Sequence, residues 1–325
     1  MHPKEIRIVF MGTPDFAVES LKALVENEYH VVGVITAPDK PAGRGRQLSE
    51  SAVKQYAVQQ NLKVLQPEKL KNPEFISELE SLKADLQIVV AFRMLPEVVW
   101  NMPPLGTFNL HGSLLPQYRG AAPLNWAVIN GETETGVTTF LLSHEIDTGK
   151  IIFKEKIVIQ ENDTVGDIHD QLMVIGANLV VRTVDALAEG KVQAVDQDEL
   201  IENQSSIKHA PKIFKDDCRI DWTKDTESVR NLIRGLSPYP TAWTEFEHPD
   251  KGEILTAKIF AAIRDNSSLP AAPGTLQTDG RKFIRIACPD GWLSVTDIQL
   301  SGKKRMKTEE LLRGFQDLGN WRVKI

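Results

Sequence analysis

Cysteine is nearly missing from this sequence. Its two thiols, Cys218 and Cys288, stand in neither Cys-x-x-Cys nor histidine-rich surroundings, which excludes a disulfide framework and a structural zinc site and predicts a reduced, cytoplasmic protein. No His-Glu-x-x-His occurs, and Asp and Glu do not cluster at ligand spacing, so no catalytic metal is expected. The Gly-x-Gly-x-x-Gly of dinucleotide sites, the Walker phosphate loop and the Gly-x-Ser-x-Gly nucleophile elbow are absent too, which argues against a nucleotide fold function and a serine hydrolase. The opening "MHPKEIRIVFMGTPDF" holds only a few apolar residues before Gly12, too few for a signal-peptide core or a membrane span, and no membrane partner is expected.

Positive charge is outnumbered overall, 38 Lys and Arg against 44 Asp and Glu. The net charge of -6 argues against a protein that coats nucleic acid everywhere, but the imbalance is local. Residues 1–208 carry 19 Lys and Arg against 28 Asp and Glu, whereas the chain from His209 onward carries 19 against 16. The densest basic run, "GKKRMK" from Gly302 to Lys307, fits a solvated turn and a phosphate contact equally well.

What is present is a globular composition, 42% hydrophobic and 25% charged, on a chain long enough for two domains. "IRIVFM", "HVVGVIT", "LQIVVAF" and "TFNLH" are strand candidates separated by helical patterns such as "FAVESLKALVENE". That alternation predicts a Rossmann-like, doubly wound and mostly parallel α/β sheet. "GVTTFLL" and "GKIIFKEKIVI" extend it with direction undecided, and Thr164 to Gly190 reads as one long amphipathic helix with a glycine stop. Polar, aperiodic sequence over residues 190–211 reads as a linker, dividing a domain of residues 1–205 from one of 206–325. Short strand-like runs in the second part predict a small OB-like β-barrel.

Ligands of such sheets sit at the carboxyl ends of the strands. Gly12, Ala91 with Phe92, and Asn109 to His111 all fall there. Asn109 and His111, two apart on a strand, project to one face, and the later "EIDTGKI" brings a carboxylate, Asp147. A carboxamide donor, an imidazole and a carboxylate are the parts of an acyl-transfer site, although a buried Asn-His pair also occurs as plain core. Ser113 lacks the elbow context of a nucleophile, and His144, three residues before Asp147, fits an exposed loop. "PAGRGR", with Arg44 and Arg46, is either a surface loop or a mobile arm for phosphates.

The run "FNLHGSLLPQYRGAAP", followed by "ETGVTTFLLSHEIDTGKI", resembles the folate-dependent formyltransferases. The resemblance puts Asn109, His111 and Asp147 on the family's catalytic positions and Ser113, Leu114, Leu115 and Pro116 on its tetrahydrofolate-binding segment. "GTPDFAV", "APDKPAGRGRQL" and "IRGLSPYPTAW" are similar to the branch that formylates methionyl initiator tRNA for translation initiation. That likeness covers essentially the whole chain and implies 10-formyltetrahydrofolate as formyl donor, with Phe92, Arg93, Met94 and Leu95 lining the pterin pocket. It also implies tRNA contacts by Arg44 and Arg46 and by Lys303, Lys304, Arg305 and Lys307. One departure stands out: the tRNA-directed enzymes usually carry Tyr-Gly in place of Phe92-Arg93, with one more residue before the Leu-Pro that follows. A formyltetrahydrofolate hydrolase and a noncatalytic folate or RNA-binding protein are the competing readings.

Overall fold

The computed structural model describes residues 2–42, 47–201, 206–266 and 270–325. They fall into two compact units: Met1–Pro123, Glu134–Ile157 and His169–His209 form the first, and Leu124–Thr133, Val158–Ile168 and Ala210–Ile325 the second.

The first unit is built on β1 (Ile8–Gly12), β2 (Val31–Ile35), β3 (Val64–Leu65), β4 (Leu86–Val90), β5 (Thr107–His111), β6 (Glu134–Leu141) and β7 (Ile151–Val158), in the spatial order β7-β6-β5-β4-β1-β2-β3. The five strands from β5 to β3 are parallel to their neighbours. Every residue of β1 and β4 is buried, as runs that are apolar apart from Gln87 require when a sheet is covered on both faces. Direction then reverses, with β6 antiparallel to β5. Gly12 makes the turn after β1 possible by close approach, since a Cβ there would stand 2.6 Å from the Ala17 Cβ. The helix Val165–Ala188 has the length and apolar character of a membrane span. Here it lies against the sheet: Gly176 admits Leu110 at its surface, and the Thr183 and Thr139 hydroxyls meet at 2.9 Å. Gly190, at φ +68, follows its end in the left-handed conformation that suits glycine.

The doubly wound, mostly parallel expectation therefore describes this sheet. Lys40–Ala42 and Gln47–Ser49 pair as two short antiparallel strands; Arg44 and Arg46 lie outside the described residues.

The second unit contains β8 (Ala242–Glu247), β9 (Ile254–Asp265), β10 (Leu276–Thr278), β11 (Ile284–Cys288), β12 (Gly291–Leu300), β13 (Met306–Lys307) and β14 (Arg322–Val323). Their order is β10-β11-β12-β9-β8-β14, with β13 beside β12, and each of these strands runs antiparallel to its neighbours in that order. Irregular register around Ala261 lets the long strand β9 bend. The two edges approach where a Cβ on Gly274 would meet Ile325 at 2.7 Å, so the sheet is a nearly closed barrel. Trp222, Phe246, Ile259, Leu293 and Leu300 fill its core. Cys218 and Cys288 are both free and buried, and burial pushes the Cys288 thiol up to about 12, leaving it protonated and inert.

Candidate active site

Strand β5 carries the site. Asn109 stands in register with Val89 on one side and Phe140 on the other, and His111 with Thr138, so both lie in the middle of the sheet near its carboxyl edge.

His111 is buried, and its Nε2 is 2.8 Å from the Tyr118 carbonyl oxygen. A carbonyl only accepts, so this contact assigns the Nε2 proton and leaves Nδ1 as the free nitrogen of the neutral ring. Nδ1 looks across 3.9 Å at Asp147 Oδ2, too far for a direct hydrogen bond but suited to attract a protonated ring. Phe140 stands edge-on to the imidazole, with centroids 6.4 Å apart, and limits its rotation.

Asp147 belongs to the loop between β6 and β7. Its φ of +56 is left-handed, a strained choice for a residue with a side chain. One carboxylate oxygen, Oδ2, accepts from the Gly120 amide at 2.9 Å. Asn109 has the opposite problem. Its Oδ1 is buried and has no hydrogen-bond partner among the described residues, a state that typically costs about 1–3 kcal/mol. An orphaned carboxamide oxygen beside a histidine leaves an acceptor open to a donor group from a ligand.

The segment after β5 is a tightly tied turn. Ser113 Oγ donates to the Gln117 carbonyl at 2.6 Å, which commits its hydroxyl to structure. Thr138 Oγ1 donates to the Ser113 carbonyl at 2.6 Å and accepts from the Leu115 amide at 3.2 Å. Leu115 packs against Phe140 and Ile151, Pro116 is buried, and Leu114 lies over Gly136. At the end of β4, Ala91 is left-handed at φ +47. Phe92 and Arg93 follow half-buried, Met94 is exposed and Leu95 enters the core. Arg93, part of the departure noted in the sequence, donates to the carbonyls of Pro67 and Glu68 and lies 5.4 Å from the Phe92 ring. Burial lowers its guanidinium below the ordinary value. His144 is an exposed loop residue edge-on to Trp100, apart from the His111 contacts.

Sequence reasoning missed the partners that hold these groups. Tyr118 and Gly120 act through their main chain and carry no side-chain signal. Gln197, from the stretch read as linker, donates to the Asp147 carbonyl at 2.8 Å.

The basic run of the second unit is partly neutralised. Arg305 holds Asp297 through two contacts, at 3.0 and 2.7 Å, and Lys307 joins at 3.4 Å. Burial raises the Asp297 carboxyl, but these two cations bring it below its ordinary value. Lys304 pairs with Glu310 at 3.2 Å, and Lys303 lies 5.8 Å from the Phe315 ring centre. Among the described residues no group of three or more His, Cys, Asp or Glu is arranged to hold a metal.

A Rossmann-like sheet with an Asn-His pair toward the carboxyl end of β5, in a chain that continues into a small barrel, matches one family along both parts. The family described as "Formyl transferase" matches residues 6–184 and its C-terminal domain residues 212–316; the chain belongs to the formyl transferases. Among its relatives, the methionyl-tRNA formyltransferase of Bacteroides fragilis is 60% identical over 315 residues, covering 97% of each chain. That of Flavobacterium johnsoniae is 51% identical over 312 residues, covering 96% of this chain and 97% of the relative. The crystal structure of an N-formyltransferase from Helicobacter canadensis, in complex with folinic acid and dTDP-3-aminofucose, shares the fold at 20% identity with a TM-score of 0.62, over 93% of this chain and all of that one.

Proposed function

We propose that this chain transfers the formyl group of 10-formyltetrahydrofolate to the α-amino group of methionine on initiator tRNA, with Asn109, His111 and Asp147 performing the transfer. The observation that carries the site assignment is the buried, unpartnered Asn109 Oδ1 on the same strand as an imidazole facing a carboxylate. Relatives at 51–60% identity over nearly the full chain carry the name methionyl-tRNA formyltransferase, and the folinic acid in the Helicobacter neighbour's crystal supports a folate donor.

The acceptor is a primary amine whose unperturbed pKa, near 7.7–8.0 as a free α-amino group, leaves a usable neutral fraction at neutral pH. It adds to the formyl carbon, and negative charge gathers on the formyl oxygen. The Asn109 carboxamide turns its NH2 to that oxygen, and His111 supplies the second polar contact. Asp147 orients the imidazole from the Nδ1 side. As the new C–N bond forms the amine sheds a proton, and as the old bond breaks the folate nitrogen gains one; Asp147 is the carboxylate that passes it. Ser113 to Pro116 and Phe92 to Leu95 hold the folate, the first through a turn whose own polar groups are already paired.

Residues 1–205 carry this chemistry and residues 206–325 bind the tRNA, in the cytoplasm. Arg44 and Arg46 contact phosphates near the acceptor end, and Lys303, Lys304, Arg305 and Lys307 neutralise backbone phosphate further away. The pairing of Arg305 with Asp297 over the Phe260 ring holds its guanidinium in place for a phosphate. Arg44→Ala is expected to raise the KM for tRNA and to reduce the salt dependence of tRNA binding by about one phosphate contact. Salt titrations of tRNA binding check this; an unchanged slope and unchanged tRNA-dependent turnover remove the loop from the interface.

A further inference from the structure

The transfer uses Asp147, and Asp147 sits in an unfavourable conformation whose support comes from far along the chain. Gln197 Nε2 donates to two carbonyls of the Asp147 loop, those of Asp147 and Gly149, each at 2.8 Å. Its Oε1 accepts from Arg119 Nε at 3.0 Å and Nη2 at 2.8 Å. Both amide hydrogens and the amide oxygen are thus committed, on a side chain only 2% exposed. The segment carrying it is docked on the sheet, since Val195 and Ile151 exchange backbone hydrogen bonds at 2.8 and 2.9 Å.

Arg119 directly precedes Gly120, whose amide holds the Asp147 carboxylate. The contacts close a ring: Gly120 grips the carboxylate, Gln197 grips the backbone of the same residue, and Arg119 ties the two grips together. A cation on its oxygen polarises the Gln197 amide and strengthens both donations. Gly149 fits because any side chain there would collide with the Leu141 carbonyl, a Cβ standing 1.6 Å from that oxygen.

We propose that Gln197, oriented by Arg119, is a positioning residue of the formyl transfer, fixing the left-handed Asp147 so that its carboxylate faces His111. This rests on the catalytic reading of Asp147. A glutamine that merely stabilised the loop would leave kcat and Asp147 uncoupled from it.

The test uses the full-length protein and three variants: Gln197→Glu, Asp147→Asn and the double variant, assayed with saturating folate donor and methionyl initiator tRNA. Gln197→Glu preserves size and the acceptor for Arg119 while removing both donors. Its kcat is expected to fall between about 10-fold and 100-fold, as when a reacting group is displaced by a fraction of an ångström, with both KM values little changed. In the Asp147→Asn background the same change costs almost nothing further, because the two residues act as one unit. Equal factors in both backgrounds, or a Gln197→Glu enzyme of normal kcat beside an impaired Asp147→Asn enzyme, overturn the proposal and leave the Asp147 reading standing. A normal Asp147→Asn enzyme overturns both. If Gln197→Glu does not accumulate folded, Gln197→Met, similar in volume and free of donors, is carried through the same comparison.

Discussion

Replacing Asn109 by alanine lowers formyl transfer by about 100-fold to 1000-fold, the usual consequence of removing one preorganised donor to a developing oxyanion. The protein itself does not suffer. Asn109 Oδ1 is buried and makes no hydrogen bond among the described residues, so truncation deletes a group that the folded state carries at a cost. Thermal unfolding of Asn109→Ala is therefore expected at the same temperature as the parent or above it. A polar group that hinders stability and supports turnover is the signature of a functional site. Single-turnover rates and a melting curve on one preparation check both halves. Turnover within a few-fold of the parent removes Asn109 from the mechanism.

Asp147→Asn is the sharper case, with a loss on the order of 1000-fold or more, comparable to converting a carboxylate that orients a catalytic histidine into an amide. Three features isolate charge as the cause. Asparagine tolerates the left-handed backbone that Asp147 adopts at φ +56. Its amide oxygen still accepts from the Gly120 amide. The loop carbonyls that Gln197 holds belong to the main chain and stay in place. What disappears is the negative charge 3.9 Å from His111 Nδ1 and, with it, the proton relay that the proposed mechanism assigns to Asp147. Folate affinity, measured by equilibrium titration, is expected to be retained, because the turn from Ser113 to Pro116, proposed to hold the folate, is tied through other residues. Normal turnover removes Asp147 from the reaction.

The parts of the site visible in the sequence are those with a period. Asn109 and His111 share a face because strands repeat every two residues, and β5 is extended over Thr107–His111. The apolar runs of β1 and β4, interrupted only by Gln87, announced buried parallel strands. Direction was harder: β6 turns antiparallel to β5, and an apolar alternation reads the same either way along the chain. Main-chain partners leave no trace in residue identity, so the Tyr118 carbonyl that sets the His111 tautomer was invisible. Gln197 was hidden differently, in a polar, aperiodic stretch whose docking depends on a long-range pairing at Val195. The basic run at residues 303–307 was legible as charge. Its pairing was not, because the register that puts Lys307 opposite Asp297 is a property of the folded sheet.

Following the formyl label from 10-formyltetrahydrofolate in the presence of purified protein and methionyl initiator tRNA is the direct measurement of what the site does. Glycinamide ribonucleotide and a mixture with no acceptor run beside it. Label in N-formylmethionyl-tRNA, and none there with the Asn109→Ala variant under the same conditions, is the expected result. Label released only as formate, or found only on the small acceptor, contradicts transfer to tRNA.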